Sequence, residues 1–284
     1  MTDILETLAT LSVLVFVIGS MFSLGLTLKM QQILDPLRNA RMVLLALVVN
    51  FILVPVLAYV LALLFNLEES LRIGLILLAT AGGAPFLPKL VDVAKGNIAF
   101  SVGLMVLLMV VTIPYLPLVL PLLLGDVAVN PWDIAQSLIV MMLIPLAIGL
   151  FIKARYEEAA LKIQPTFGMA SNIALLTLVV LGLVLNFNSM IALVGSLGIL
   201  AGIIFILVSL ILGYLLGGSD PGNRSVMGLG TAQRNISAAL VVAAQNFSTD
   251  VITYLMVIAI IGLVVLMPAA GELGKRTRTA LESN

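Results

Sequence analysis

Long stretches without a single Lys, Arg, Asp or Glu constrain this chain more than any other feature. Leu8–Leu28, Met42–Asn66, Ile98–Gly125, Ile134–Ile152 and Val251–Gly271 are each free of charge. Ile163–Ser219 is long enough for two such stretches, divided by the polar turn Asn186-Phe187-Asn188-Ser189. A hydrocarbon core ~30 Å thick demands about twenty apolar residues of any helix that crosses it. Only 10% of the residues are charged, where an ordinary soluble domain carries about 25%. A transmembrane barrel would alternate polar and apolar residues in strands of ~10, and nothing here alternates. The chain reads as an all-α membrane protein.

Composition then removes whole classes of chemistry. Cysteine and histidine are both absent, so thiolate ligands, disulfides and imidazole bases are excluded. There is no His-Glu-x-x-His, no paired carboxylates inside an apolar stretch, and no Gly-x4-Gly-Lys-Ser/Thr loop. An enzyme or a nucleotide-driven pump is therefore not expected. Nucleic acid is not an expected partner either, since no basic domain stands outside the apolar stretches. No cofactor and no metal cluster is called for. The first apolar segment has no basic flank, its early charges being Asp3 and Glu6, and it is long enough to span. It reads as a retained helix rather than a cleaved signal.

Two further segments are apolar but interrupted. Residues 73–94 contain Gly82-Gly83-Ala84-Pro85 and Pro88-Lys89, and residues 226–248 contain Gly228-Leu229-Gly230-Thr231-Ala232-Gln233-Arg234-Asn235. Counting both gives about nine spans, at 8–28, 42–65, 71–94, 98–124, 132–152, 164–186, 190–217, 225–247 and 251–271. Sorting the cations onto alternating sides tests this count. Lys29, Arg38, Arg41, Lys95, Lys153, Arg155, Lys162, Arg224, Lys275, Arg276 and Arg278 fall on one side, and only Arg72 on the other. Positive residues stay cytoplasmic, which puts the N-terminus outside and the C-terminus inside an inner membrane.

The interrupted spans are the third and the eighth, and they run in opposite directions. Pairing spans 1–4 with spans 6–9 superposes one on the other, the trace expected of an inverted repeat. The chain then divides, within one transporter unit over 1–284, into a first repeat 1–125, an unpaired span 5 in 126–160 and a second, inverted repeat 161–284.

Two cations, Lys89 and Arg234, lie inside the interrupted spans. Lys89 is six residues from Lys95, about 9 Å along a helix, near enough for its side chain to reach the cytoplasmic surface. Arg234 is deeper, and a charge at that depth faces a cavity or the bundle interior. A helix broken in mid-membrane leaves unpaired C=O groups on one half and unpaired N–H groups on the other. The N–H ends favour anions and the C=O ends favour cations. Pro85 fits the first turn of a second half-helix because it has no N–H to satisfy. Gly83, Thr231, Gln233, Asn235 and Ser237 complete the expected substrate site, where the polar four either repair the break or touch a ligand. With no carboxylate at this depth, the expected solute is a small anion with Arg234 as its counter-charge. Met21, Phe22, Ser23, Asn50 and Asn172 are candidates for the opposite wall, although lone polar residues on apolar helices more often pack.

The run Gly25-Leu26-Thr27-Leu28 resembles the Gly-Leu-Thr-Leu signature of the bile acid:sodium symporter family. Ala81-Gly82-Gly83-Ala84 with Ala94-Lys95-Gly96-Asn97-Ile98-Ala99-Phe100-Ser101-Val102 resembles its first broken helix and the sequel. Gly230 through Leu240, with Ala238-Ala239-Leu240, is similar to its second crossing motif. The resemblance implies a core domain and a panel domain, two broken helices crossing at the site, and nine spans as in members without an extra N-terminal helix. It also implies sodium, bound through Ser/Asn after the first Gly-Gly and through Glu-x-Gly-x-Gln-Asn in the second crossing helix. Here Ala84-Pro85-Phe86-Leu87 follows Gly82-Gly83, and Gly228 stands at the glutamate position. Gln233 and Asn235 enter an ion site only with a small gap. The expectation is a transporter of a small organic anion whose sodium coupling is weakened, with Lys89 or Arg234 supplying a tethered positive charge. A metalloid-type efflux protein of related fold and a non-transporting receptor or scaffold are the alternatives; absent cysteine argues against the first, and a buried arginine against the second. Oligomeric state is not legible.

Overall fold

The computed structural model describes residues 2–125, 130–185, 193 and 196–282. The expected turn at Asn186–Ser189 lies outside the described residues. All regular structure among the described residues is helical; besides short helical turns at Met30–Leu34 and Asp35–Arg38, the helices are α1 (Thr2–Thr27), α2 (Ala40–Leu64), α3 (Glu69–Thr80), α4 (Leu87–Val93), α5 (Ile98–Leu123), α6 (Pro131–Arg155), α7 (Glu157–Leu185), α8 (Leu197–Leu216), α9 (Pro221–Ala232), α10 (Ile236–Asn246) and α11 (Thr249–Glu282). Helix starts follow local chemistry. Asn39, Asn97, Asn130, Asp220 and Asn235 each accept a backbone N–H from the first turn that follows, and such caps satisfy donors that have no partner inside the helix.

Among the described residues, six helices are long and apolar enough to cross a membrane: Thr7–Thr27, Ala40–Leu64, Ile98–Leu123, Pro131–Arg155, Leu197–Leu216 and Thr249–Thr277. The protein is a multi-pass helical membrane protein. Many of its largest side chains face outward, including Leu63, Leu64, Leu118, Leu122, Phe151 and Leu215. Such a surface suits lipid and would be a liability in water.

One bundle is made of α1, α6 and α7, with α1 packed along both partners. Its tightest point is a glycine crossing. A Cβ on Gly25 would stand 2.4 Å from the Leu146 carbonyl oxygen, and one on Gly149 would stand 2.5 Å from that of Phe22. Small residues let membrane helices approach this closely, where dispersion replaces the hydrophobic effect as the source of association. At one end of this bundle Glu157 pairs with Lys29 at 2.9 Å and with the buried Lys153 at 3.2 Å. Hydrogen bonds from Lys29 and then Lys153 hold the Glu157 carboxyl below the usual carboxylate range.

The remaining helices pack around α3, α5 and α11, and α8 lies flat on α9. A Cβ on Gly213 of α8 would meet the Met227 carbonyl oxygen at 2.3 Å. Helix α3 is buried almost throughout, from Ile73 to Thr80. The two bundles meet where α6 touches α5 and α10, and where α1 touches α10. There the Ser137 hydroxyl of α6 donates to the side-chain oxygen of Gln245 in α10.

Candidate functional site

The chain leaves the helix between Thr80 and Leu87, and again between Ala232 and Ile236. These two stretches touch: the Asn235 N–H donates to the Ala81 carbonyl at 2.9 Å. Two helix C-termini, of α3 and α9, therefore end beside each other inside the bundle.

Sequence placed the second interruption too early and made it too long. Gly228 and Gly230 are helical and serve packing; a Cβ on Gly228 would be 3.1 Å from the Leu210 carbonyl oxygen, and one on Gly230 would be 3.1 Å from Leu87 Cδ2. Non-helical backbone is confined to Gln233, Arg234 and Asn235. Pro85 does not open the second half-helix of the first interruption. It sits in a turn closed by the Leu87 N–H on the Ala84 carbonyl at 3.1 Å, the place in a turn where a fixed φ near −65° fits. Pro88, in the first turn of α4, takes the helix-opening role instead. Gly83 has φ +79°, and its missing Cβ would lie 2.2 Å from the Met109 nitrogen. It lets the loop cross the α5 backbone in a left-handed conformation that suits glycine.

Arg234 is the centre of the junction and is only 4% exposed. Its Nε donates to the Leu78 carbonyl at 3.2 Å, and Nη2 donates to the Ala79 carbonyl at 2.6 Å. Nη1 donates to Asn50 Oδ1 at 2.6 Å and to the Thr231 carbonyl at 3.2 Å. Leu78 and Ala79 belong to the last turn of α3, and Thr231 to the last turn of α9. Four of the five guanidinium N–H groups thus meet protein oxygens, and among the described residues no carboxylate pairs with it.

Asn50, on sequence only one candidate for the opposite wall, lies instead against Arg234. It is fully buried at the junction, donating also to the Ala46 carbonyl at 3.0 Å and to Thr231 Oγ1 at 3.4 Å. A π-helical turn, Val49–Leu53, is built around it. Pro55 brings no N–H to the Phe51 carbonyl four residues earlier, and the Tyr115 hydroxyl donates to that oxygen at 2.6 Å. Thr112, one turn before Tyr115 on α5, accepts from the Gly82 N–H at 2.9 Å. Neither Thr112 nor Tyr115 was singled out in the sequence. The only trace of the π turn there was a proline inside a long apolar stretch, a pattern that recurs at Ile139–Leu143 before Pro145.

The structure brings Thr231, Gln233, Arg234 and Asn235 together with Ser237, which opens α10 and is buried. Asn235 uses Oδ1 to accept the Ala238 N–H at 3.1 Å, while its Nδ2 has no partner. The Gln233 side-chain oxygen is likewise buried without a partner, beside a small void of about 30 Å³ that Arg234 and Ile258 also line. Lys89 stands apart. It is exposed on α4, with no ion pair among the described residues. Of the other proposed wall residues, Met21 and Ser23 are buried in the α1 bundle, Phe22 stacks edge-on against Phe167 at 4.6 Å, and Asn172 is exposed. Ser23 accepts from Gln164 Nε2 at 3.0 Å.

A buried polar junction of interrupted backbone thus lies inside a bundle of helices long and apolar enough to cross a membrane. Irregular backbone at this depth is tolerated only where protein or a cavity meets its polar groups. The chain belongs to the sodium bile acid symporter family, whose model matches residues 13–193. That match spans the first interruption and ends before the second. One relative, described as an uncharacterized sodium-dependent transporter YocS of Bacillus subtilis (strain 168), is 24% identical over 160 residues. The alignment covers 56% of this chain and 50% of that protein, so the chain spans about half the length of the relative it matches.

Proposed function

We propose that this protein is a secondary active transporter of a small organic anion, working by alternating access. The observation that carries the reading is Arg234: a buried cation at the meeting point of two interrupted helices, with no carboxylate among the described residues to neutralise it. Four of its five N–H groups are taken by protein oxygens, so it acts on a solute chiefly through its field. Direct contact falls to the N-terminal end of α10, where Asn235 Nδ2 is a buried donor without a partner and Ser237 lies in the first turn. Helix N-termini favour anions there. Lys89 is a second positive charge, on the approach. Membership of the family supports the transport reading.

In this reading the chain has nine spans in an inverted repeat, 1–125 and 161–284 about an unpaired span 5. Helices α3–α4 and α9–α10 are the broken crossing helices of spans 3 and 8. The α1–α6–α7 bundle is the panel and the rest is the core, and the core moves against the panel. The N-terminus is outside and the C-terminus cytoplasmic, in agreement with the Lys and Arg sorting.

The test is uptake of radiolabelled small carboxylates and sulfonates into proteoliposomes. Arg234→Ala and Arg234→Lys are compared with wild type, using only preparations that elute as folded protein. Uptake falls by about tenfold or more in the alanine variant, the effect of losing ~1.4 kcal/mol of attraction. Undiminished transport of an organic anion in both variants sinks the assignment.

A further inference from the structure

The structure assigns Arg234 the role of a resident cation: its side chain fills, by a covalent tether, a cage of oxygens that is built for a small positive ion. The cage comes from three separate parts of the fold. Leu78 and Ala79 offer carbonyls from the end of α3, Thr231 offers one from the end of α9, and Asn50 adds its side-chain oxygen from the π turn of α2. The last carbonyls of a helix lack intrahelical donors and carry its negative partial charge. Two such ends placed side by side in a buried position repel each other and need positive charge between them. Interrupted membrane helices commonly meet that need with a bound ion at their C-terminal ends. Neutral oxygens are also the donors that suit a hard cation.

Here the need is met from within the chain. All four oxygens lie 2.6–3.2 Å from guanidinium nitrogens. The residue is buried, and no acidic side chain shares the cage among the described residues. Asn50 is held in place from its other end. Its Nδ2 is occupied by Ala46 and Thr231, which leaves Oδ1 aimed at Arg234. Two consequences follow. The junction of α3 and α9 needs no inorganic cation, and removal of the side chain turns the cage into a vacant cation site.

The experiment uses the purified full chain in detergent, without solute. Thermal midpoints of wild type and Arg234→Ala are measured in choline chloride, sodium chloride and guanidinium chloride, each at the same concentration of a few tens of millimolar. Wild type is expected to melt at one temperature in choline and in sodium. The alanine variant is expected to melt lower in choline by about 5 °C or more, a shift that corresponds to one or two lost buried charge-assisted contacts. Sodium or guanidinium is expected to return part of that loss. An alanine variant as stable as wild type in choline overturns the proposal, as does one that neither cation restores. A wild type that sodium stabilises over choline overturns it too, because the position is then not self-sufficient. If the alanine variant gives no folded protein, Arg234→Lys decides. A retained ammonium in the cage predicts a midpoint near wild type and no sodium response; a lysine variant that is also lost, or that depends on sodium, overturns the assignment. Because no solute is present, failure here leaves the organic-anion reading standing, and failure of uptake leaves this one standing.

Discussion

Adjacent glycines at the first interruption separate two physical effects that sequence alone would merge. Gly83 has φ +79°, and an added Cβ would lie 2.2 Å from the Met109 nitrogen, 2.5 Å from the Met105 carbonyl oxygen and 2.7 Å from Met109 Cα. All three neighbours are backbone of α5, so no rotamer change relieves the overlap. A left-handed conformation costs an L-residue about 1–2 kcal/mol, and forcing a methyl into a packed interior costs about 1–3 kcal/mol more. Gly83→Ala is therefore expected to destabilise by about 2–5 kcal/mol, lowering the thermal midpoint of the detergent-solubilised protein by roughly 5–15 °C. At Gly82 the nearest atoms are Phe51 Cζ at 3.3 Å and Thr112 Oγ1 at 3.4 Å. Both are side-chain atoms that can give by a few tenths of an ångström. Gly82→Ala is expected to cost ~1 kcal/mol, a few degrees at most. The assay is a melting series on both variants purified side by side. If Gly83→Ala melts within a couple of degrees of wild type, or Gly82→Ala is the worse of the two, the reading of this junction as a left-handed backbone crossing is refuted.

Two other perturbations probe the supports of the site. Tyr115→Phe leaves the Phe51 carbonyl without its hydroxyl donor and should cost about 1–2 kcal/mol. Pro55→Ala returns an N–H to the same carbonyl, so the double variant should lose less than the sum, with a coupling of at least ~0.5 kcal/mol in a thermal-stability cycle; strict additivity would show that the proline and the tyrosine do not share that oxygen. Glu157 has its folded pKa held below the ordinary carboxylate value by Lys29 and Lys153, so it contributes stability above its unfolded pKa and loses it as pH falls through the lower folded value. The gap in melting temperature between wild type and Glu157→Gln should be constant above about pH 5 and close below about pH 4. A gap independent of pH would mean that the carboxylate's charge is not what joins α1, α6 and α7.

Membership of the helical membrane class was decided by sequence because it depends on one-dimensional facts. Apolar length against bilayer thickness needs no knowledge of neighbours, and neither does the absence of cysteine and histidine. Arg234 stood out for the same reason, as a cation deep in an apolar stretch. Tertiary structure alone decided what that cation touches. Asn50 is far from Arg234 in the chain, and nothing in an apolar helix around an asparagine says which partner its amide will find. Glycine was misleading in the second interruption, since Gly228 and Gly230 look like helix breakers and are instead the flat surface on which α8 and Leu87 rest. At Pro85 the residue type was right for a fixed φ but the helix began later, because the Ala84–Leu87 turn comes first. Local chemistry told where backbone groups would be left unpaired. Which oxygens then converged on one guanidinium was settled by the packing of α2, α3 and α9, a long-range outcome that no short stretch of this sequence encodes.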